Sequence, residues 1–290
     1  IKGGSWISTG NEATRDSRYA FRRHFFQHAG FRYIVSSQPV ESPEEMYESD
    51  DLVAQYCDAH YGPDKFRVRN FPLRLVEIIL AVMDDRPKRR ALDLGCAVGR
   101  GSFELAKQFA FVTGIDFSAR FIRIAHQLQQ KGVVHYQLPE EGEIVSYHEK
   151  RLSDFGLQGT AERIEFIQGD AHNLKPQFVD YDLILAANLI DRLYDPARFL
   201  ADIHLRLKPG GVLALASPYT WLEEYTKKTD WIGGLRRAGE PYTTLEGLHD
   251  LLKSHFKPLT EPQDVEFVIR ETARKFQHTV SQLTFWERVR

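Results

Sequence analysis

The sequence predicts an α/β protein built on a mostly parallel sheet, with helices on both faces. The first observation is that strand and helix patterns alternate from residue 89 onward. The second is a glycine turn, Asp93-Leu94-Gly95-Cys96-Ala97-Val98-Gly99, between the first strand and the first helix of that series. Because repeated strand–helix units form parallel sheets with covered faces, this order favours one large α/β domain.

The alternation is read from short apolar runs and from apolar residues at helical spacing. Two segments fall outside it, residues 132–163 and 218–242, and inserts of this kind build the ligand crevice of an open sheet. The predicted strands are 91–94, 111–116, 164–167, 181–187 and 212–217, with two late strands at 265–269 and 276–286. The predicted helices are 44–60, 71–83, 100–109, 119–130, 196–207 and 244–255.

Composition and charge exclude several classes of protein. The chain has 290 residues, of which 42% are apolar and 27% charged, so it is neither a disordered chain nor a disulfide scaffold. Its net charge of −2 lacks the basicity of a nucleic-acid binder. No apolar run approaches the ~20 residues that span a bilayer. The two cysteines, Cys57 and Cys96, indicate a reducing compartment, and we expect a cytoplasmic protein without a membrane or nucleic-acid partner.

The glycine turn predicts a site for a small ligand. Gly95 allows a sharp turn and a close approach of the backbone, and the amides at the next helix N-terminus point toward a bound group. The spacing D-x-G-x-x-x-G differs from the dinucleotide fingerprint, because Ala97 replaces the second glycine. A plain tight turn is the alternative interpretation.

Polar residues follow the later strands in a consistent order. Asp116 ends the second strand, where a carboxylate can accept both ribose hydroxyls. Asp170 follows the third strand, and its carboxylate could accept a hydrogen bond from the amino group of adenine. Asn188 follows the fourth strand. Each acid alone could simply cap a helix.

Together these features resemble the class I S-adenosylmethionine-dependent methyltransferases over residues 89–217. The resemblance implies a Rossmann-like sheet of seven strands, with the last strand antiparallel, and S-adenosylmethionine as cofactor. The implied cofactor-binding residues are Asp93, Gly95, Cys96, Ala97, Gly99, Asp116, Phe117, Asp170, Ala171 and Asn188.

Six further segments, most of them flanking this region, carry a second resemblance. The segments are Tyr47-Glu48-Ser49-Asp50-Asp51-Leu52, His60-Tyr61-Gly62, Asn70-Phe71-Pro72, Ala186-Ala187-Asn188-Leu189-Ile190-Asp191-Arg192, Ser217-Pro218-Tyr219-Thr220-Trp221-Leu222-Glu223-Glu224 and Ile269-Arg270-Glu271-Thr272-Ala273-Arg274-Lys275-Phe276. They resemble a narrower family, the C-terminal methyltransferase domain of the ovothiol-forming enzymes. This resemblance implies N-methylation of the imidazole ring of 4(5)-mercaptohistidine to give ovothiol A.

The opening of the chain contains Lys2-Gly3-Gly4-Ser5-Trp6, Arg22-Arg23-His24 and Gly30-Phe31-Arg32. These segments are similar to the last stretch of a formylglycine-generating-enzyme-like fold. That fold forms the iron-dependent sulfoxide synthase domain of the same family, which we expect as a linked or associated partner. No H-x-x-x-H-x-E motif occurs, since Gly30 follows His24 and His28 where Glu is required, so we expect no synthase activity and no metal site here. The expected organisation is residues 1–40 as the tail of the synthase domain, 41–88 as a helical cap and 89–290 as the methyltransferase domain.

The acceptor site would need groups for a ring, a carboxylate and an ammonium. Arginine suits the carboxylate, with Arg270 favoured, and acids or amides suit the ammonium. Surface solvation, core packing or, for His60, a structural role are the alternatives. The catalytic candidates are Asn188, Asp191, Tyr47 and His60, and the substrate-binding candidates are Asn70, Phe71, Arg74, Arg192, Tyr219, Trp221, Glu223 and Arg270.

Two other functions stay open. One is a catalytically silent partner of the synthase domain, and the other is a methyltransferase acting on a different small imidazole or amine. A nucleic-acid methyltransferase is disfavoured, because Asn188 is followed by Leu189-Ile190 rather than by Pro-Pro-Tyr/Phe.

Overall fold

The computed structural model describes residues 49–289, so the predictions for the N-terminal segment, Tyr47 among them, lie outside the described residues. The strands are β1 Arg90–Leu94, β2 Phe111–Asp116, β3 Val133–Glu141, β4 Ile144–Arg151, β5 Ile164–Gln168, β6 Tyr181–Ala187, β7 Leu207–Ser217, β8 Leu235–Arg237, β9 Glu240–Tyr242, β10 Phe256–Pro258, β11 Gln263–Arg270 and β12 Phe276–Arg288. The α-helices are α1 Asp50–Tyr61, α2 Phe71–Val82, α3 Arg100–Leu105, α4 Ala119–Lys131, α5 Pro196–Asp202 and α6 Thr244–Leu252.

The central sheet confirms the predicted alternation. Its order is β10-β12-β7-β6-β1-β2-β5, with β11 pairing β12 outside this path. Strands β5, β2, β1, β6 and β7 are mutually parallel. Strand β12 runs antiparallel to β7, as expected of the last strand.

The sheet has eight strands rather than the seven expected. Strand β11 pairs with β12 in an antiparallel hairpin and lies outside the linear order of the other seven strands. Strand β10 was missed, because it has three residues and ends in Pro258, which leaves too short a pattern to recognise.

Helices cover both faces of the sheet and give two apolar clusters. Helices α1 to α4 pack on one face, where Leu75 and Phe103 are fully or almost fully buried. Helices α5 and α6 pack on the other face through residues such as Phe199 and Leu248. Strand residues alternate between the clusters, so both faces contribute to the core.

Several boundaries differ from the predicted ones. Helix α1 begins at Asp50 because the side chain of Ser49 caps it by accepting from the amide of Leu52. The insert at 132–163 contains the hairpin β3–β4, whose second strand is exposed or half-buried throughout and therefore shows little apolar alternation. Within residues 49–289, no helix is long and apolar enough to cross a membrane.

Candidate active site

A cavity of about 540 Å³ opens at the carboxyl ends of the parallel strands. Its wall includes Gly95 after β1, Asp116 at the end of β2, Gly169 after β5 and Asn188 after β6. Ligands of open α/β sheets bind at this edge, and the volume is typical of a small-molecule site.

The turn after β1 is held in a conformation that keeps the backbone close to the cavity. Gly95 has a φ of +74°, and the amides of Gly95 and Cys96 both donate to the carbonyl of Ile115. Ala97 also has a positive φ, +47°, which is uncommon for a residue with a side chain. Gly99 does not line the cavity. A side chain at this position would meet the ring of Phe166. Glycine is therefore required here for packing against Phe166 rather than for contact with a ligand.

Asp116 connects this turn to β2. One carboxylate oxygen accepts from the amide of Ala97 and the other from the amide of Ser118, each at 2.8 Å. An ionised carboxylate can accept several hydrogen bonds at once, which is the chemistry that a ribose diol requires. Phe117 lines the cavity beside it.

Asp170 and Ala171 form the adjacent part of the wall. Burial alone would raise the pKa of Asp170, but hydrogen bonds from His172 and Asn173 lower it below its usual range. The carboxylate therefore stays ionised and can accept a hydrogen bond from an amino group.

Asp93, near the end of β1, and Cys96, within the turn, are both buried. Burial raises the pKa of Asp93 to about 6, against a hydrogen bond from Ser102, and the charge of Asp116 adds to the rise. Burial also raises the pKa of the Cys96 thiol, so it is not a thiolate near neutral pH. Both residues line the cavity, together with Ala97.

Four predicted acceptor-site residues lie on the other half of the wall: His60, Asn70, Phe71 and Arg192. Burial lowers the pKa of His60 to about 3, and Arg100 adds to the effect. Its Nδ1 is buried and has no hydrogen-bond partner among the described residues. A neutral imidazole that resists protonation is a poor proton acceptor near pH 7.

Asn188 lines the cavity directly after the end of β6. Its φ is +52°, its amide N–H donates to the carbonyl of Ala216, and its Oδ1 accepts from the hydroxyl of Ser281 at 2.7 Å. Since Oδ1 is engaged by β12, the side-chain NH2 group is the part of Asn188 that can meet a ligand.

The two remaining predicted arginines do not line the cavity. Arg270 pairs with Glu140 of the β3–β4 hairpin at 2.7 Å and donates to the carbonyl of Thr272. Arg74 lies on the outer face of α2 beside Glu77. Arg270 therefore ends β11 on the side facing the hairpin, off the cavity wall, and its role toward the acceptor stays a prediction.

Four other predicted residues also lie off the wall. Asp191 is fully buried and accepts from Ser217, Thr220 and Arg192, so it orients Arg192 rather than meeting a ligand. The other three are engaged elsewhere or exposed: the Tyr219 hydroxyl donates to Gln282, the Trp221 indole donates to Thr244, and Glu223 is exposed.

Sequence reasoning missed other charged residues on the acceptor half. Glu224, next to the predicted Glu223, lines the cavity. Lys65 and Arg69 reach it from the segment between α1 and α2. The available signal was a cluster of charges between two helices that flank the site. Within residues 49–289, no group of three His, Cys, Asp or Glu side chains could hold a metal ion.

The part of the cavity formed by Gly95, Asp116 and Asp170, here called the cofactor half, fits S-adenosylmethionine. Asp116 and Asp170 offer carboxylates at the ends of adjacent strands, and Gly95 leaves space where a side chain would project toward Leu189. One cavity continues from these acids to the acceptor half, so both ligands can share it.

Comparison with known proteins agrees with this geometry. The family model described as a methyltransferase domain matches residues 85–246, more than half of the chain. The chain is 29% identical over 164 residues to trans-aconitate 2-methyltransferase of Deinococcus radiodurans, which covers 54% of this chain and 49% of that protein. It is 28% identical over 171 residues to the ubiquinone biosynthesis O-methyltransferase of Histophilus somni, covering 59% and 61%. The chain spans about half the length of the curated relatives it matches.

The fold is shared more widely than the reaction. The [4+2]-cyclase SpnF superposes with a TM-score of 0.50 at 17% identity, covering 83% of this chain and 97% of that one. At this identity the match concerns the fold alone, and one fold supports different reactions. The family match and the fitted site identify S-adenosylmethionine as the cofactor. The chain belongs to the methyltransferase domain family.

Proposed function

We propose that this protein methylates a ring nitrogen of 4(5)-mercaptohistidine and so forms ovothiol A. The observation that carries the proposal is the acceptor half of the cavity, which combines both signs of charge with aromatic rings. Arg192 and Lys65 suit a carboxylate, Glu224 suits an ammonium, and Phe71 with Phe267 suits an imidazole.

The cofactor supplies an electrophilic methyl group on a sulfonium. On the protein side, Asp116 would hold the ribose hydroxyls, Asp170 the adenine amino group, and the backbone at Gly95 the methionine end. Asn188 lies between the two halves, where its NH2 group can orient the acceptor. Bringing two reactants to attack distance can contribute up to roughly 7–11 kcal/mol to the rate.

No protein base is required in this proposal. When the acceptor sulfur is a thiolate, it donates electron density into the ring, and methylation leaves a neutral imidazolium–thiolate. His60 remains neutral because burial holds its pKa near 3, and Asp191 is enclosed by its three donors. The protein then acts by positioning and by excluding water.

The pH dependence of turnover tests this chemistry. We expect kcat to fall as the pH drops through the pKa of the substrate thiol, because protonation removes the electron-donating thiolate. His60 adds no step between pH 5 and 9, since its folded-state pKa of about 3 lies below that window. The measurement is kcat against pH for two mercaptoimidazoles whose thiols differ in acidity. A limb that stays at the same pH for both substrates would show that a group on the enzyme is titrating.

Mass spectrometry of the products from mercaptohistidine and S-adenosylmethionine tests the function itself. A product heavier than mercaptohistidine by one CH2 group supports the proposal. Histidine is the matched control, because it has the same amino-acid end without the sulfur and should react far more slowly. Equal turnover of histidine would favour a different imidazole or amine as the acceptor. Cofactor binding without turnover of any acceptor would favour the silent partner of a synthase domain.

A further inference from the structure

A buried ion pair lies beside the acceptor half of the cavity. Nζ of Lys65 is 2.8 Å from Oδ2 of Asp58, and the side chains are only 13% and 4% exposed. Lys65 lines the cavity, whereas Asp58 lies behind it on α1. Taking two charges out of water is unfavourable by several kcal/mol per ion, so such a pair is weak evidence for a purely stabilising role.

The backbone that carries Lys65 is strained. Phe66 and Arg67 have φ values of +52° and +67°, and Lys65 and Val68 close the turn with two backbone hydrogen bonds. Consecutive non-glycine residues in this region are unfavourable, and strain of this kind is concentrated at ligand-binding segments. At the start of the segment, a side chain on Gly62 would come within 2.4 Å of Asp58, so the chain leaves α1 directly over the carboxylate.

The ion pair leaves hydrogen-bonding capacity unused. Oδ2 of Asp58 accepts no well-aligned hydrogen bond from the described residues, although the buried hydroxyl of Tyr136 also lies against this carboxylate. Nζ of Lys65 donates to the carbonyl of Pro63 at 3.3 Å. An ammonium has three N–H donors, so Lys65 can still donate to an acceptor in the cavity.

We infer that Lys65 binds the carboxylate of an α-amino acid ligand, with Asp58 and the turn at 65–68 holding its ammonium in the wall. The inference rests on the proposed function for the identity of the acceptor. Mercaptohistidine and the cofactor both carry such a carboxylate. The acceptor is the expected source, because the segment carrying Lys65 packs beside β11 and β12, with Phe66 against Phe276 and Phe71 against Phe267.

Binding measurements with three variants test the inference. Lys65→Met removes the charge, Lys65→Arg keeps it, and the double variant Asp58→Asn with Lys65→Met removes both charges and avoids an unpaired buried carboxylate. Isothermal titration with S-adenosylhomocysteine gives the affinity for the cofactor product. A second titration with mercaptohistidine, at saturating S-adenosylhomocysteine, gives the affinity for the acceptor. Thermal melts confirm that each variant is folded.

We expect Lys65→Met and the double variant to bind mercaptohistidine at least roughly tenfold more weakly, as for a lost charge-assisted contact, while Lys65→Arg retains most of the affinity. S-adenosylhomocysteine should bind the double variant and the wild type alike. Loss of S-adenosylhomocysteine affinity instead would assign the carboxylate to the cofactor. If the variants bind both ligands as the wild type does, the inference is overturned. It is also overturned if the wild type binds no mercaptohistidine and the variants bind S-adenosylhomocysteine as the wild type does. Failure of the proposed function is seen separately, as wild-type enzyme that yields no methylated product.

Discussion

Gly95→Val is expected to weaken S-adenosylmethionine binding by on the order of 100-fold or more. The φ of +74° is unfavourable for any residue with a Cβ, and by more for a β-branched one. A Cβ would lie 3.4 Å from Leu189, which also lines the cavity, so the added methyl groups would enter the ligand's space. Isothermal titration measures the loss.

Gly132→Val is the matched control for backbone strain. Gly132 has a similar φ of +68°, it caps α4 far from the cavity wall, and a Cβ there meets no atom within 4 Å. This variant should lose stability and keep its affinity for the cofactor. If Gly95→Val folds and binds as the wild type does, the turn does not approach the ligand closely.

Asp116→Ala is expected to weaken S-adenosylmethionine binding by about 1.5–3 kcal/mol, or roughly tenfold to 150-fold. The variant loses the acceptor for the ribose hydroxyls. It also loses the two hydrogen bonds, from Ala97 and Ser118, that hold the turn after β1. The melting temperature should therefore fall together with the affinity.

Asp182→Ala separates these two effects. Asp182 is a buried strand carboxylate that accepts from the amides of Arg89 and Arg90, and it does not line the cavity. The Asp182→Ala variant should have a lower melting temperature but the same affinity for S-adenosylmethionine when folded. An Asp116→Ala protein with an unchanged dissociation constant would contradict the ribose assignment.

The cofactor half could be predicted from the sequence because its residues occupy fixed positions along the chain. Asp116 ends a strand and Gly95 and Asn188 each follow one, and parallel strands bring their carboxyl ends to one edge. Once the strands were recognised, their meeting point followed. Gly99 belongs to the same glycine turn, but it packs against Phe166 and does not line the cavity.

The acceptor half could not be derived in this way. It is built from the segment between α1 and α2, from loops after β6 and β7, and from β11, and no periodic pattern fixes their relative positions. Arg270 illustrates the difficulty. Its neighbours Val268 and Ile269 line the cavity, but the guanidinium of Arg270 pairs with Glu140 of the β3–β4 hairpin and stays off the wall.

Strand β12 has a consequence for the order in which the molecule can assemble. It inserts between β7 and β10 and also pairs β11, so three strands made earlier remain incomplete until it is synthesised. It carries Ser281, which orients Asn188. On the ribosome, the parallel strands β1, β2, β5 and β6 can therefore pair early, whereas the part of the cavity wall that includes β11 and Asn188 is completed only after β12 has emerged.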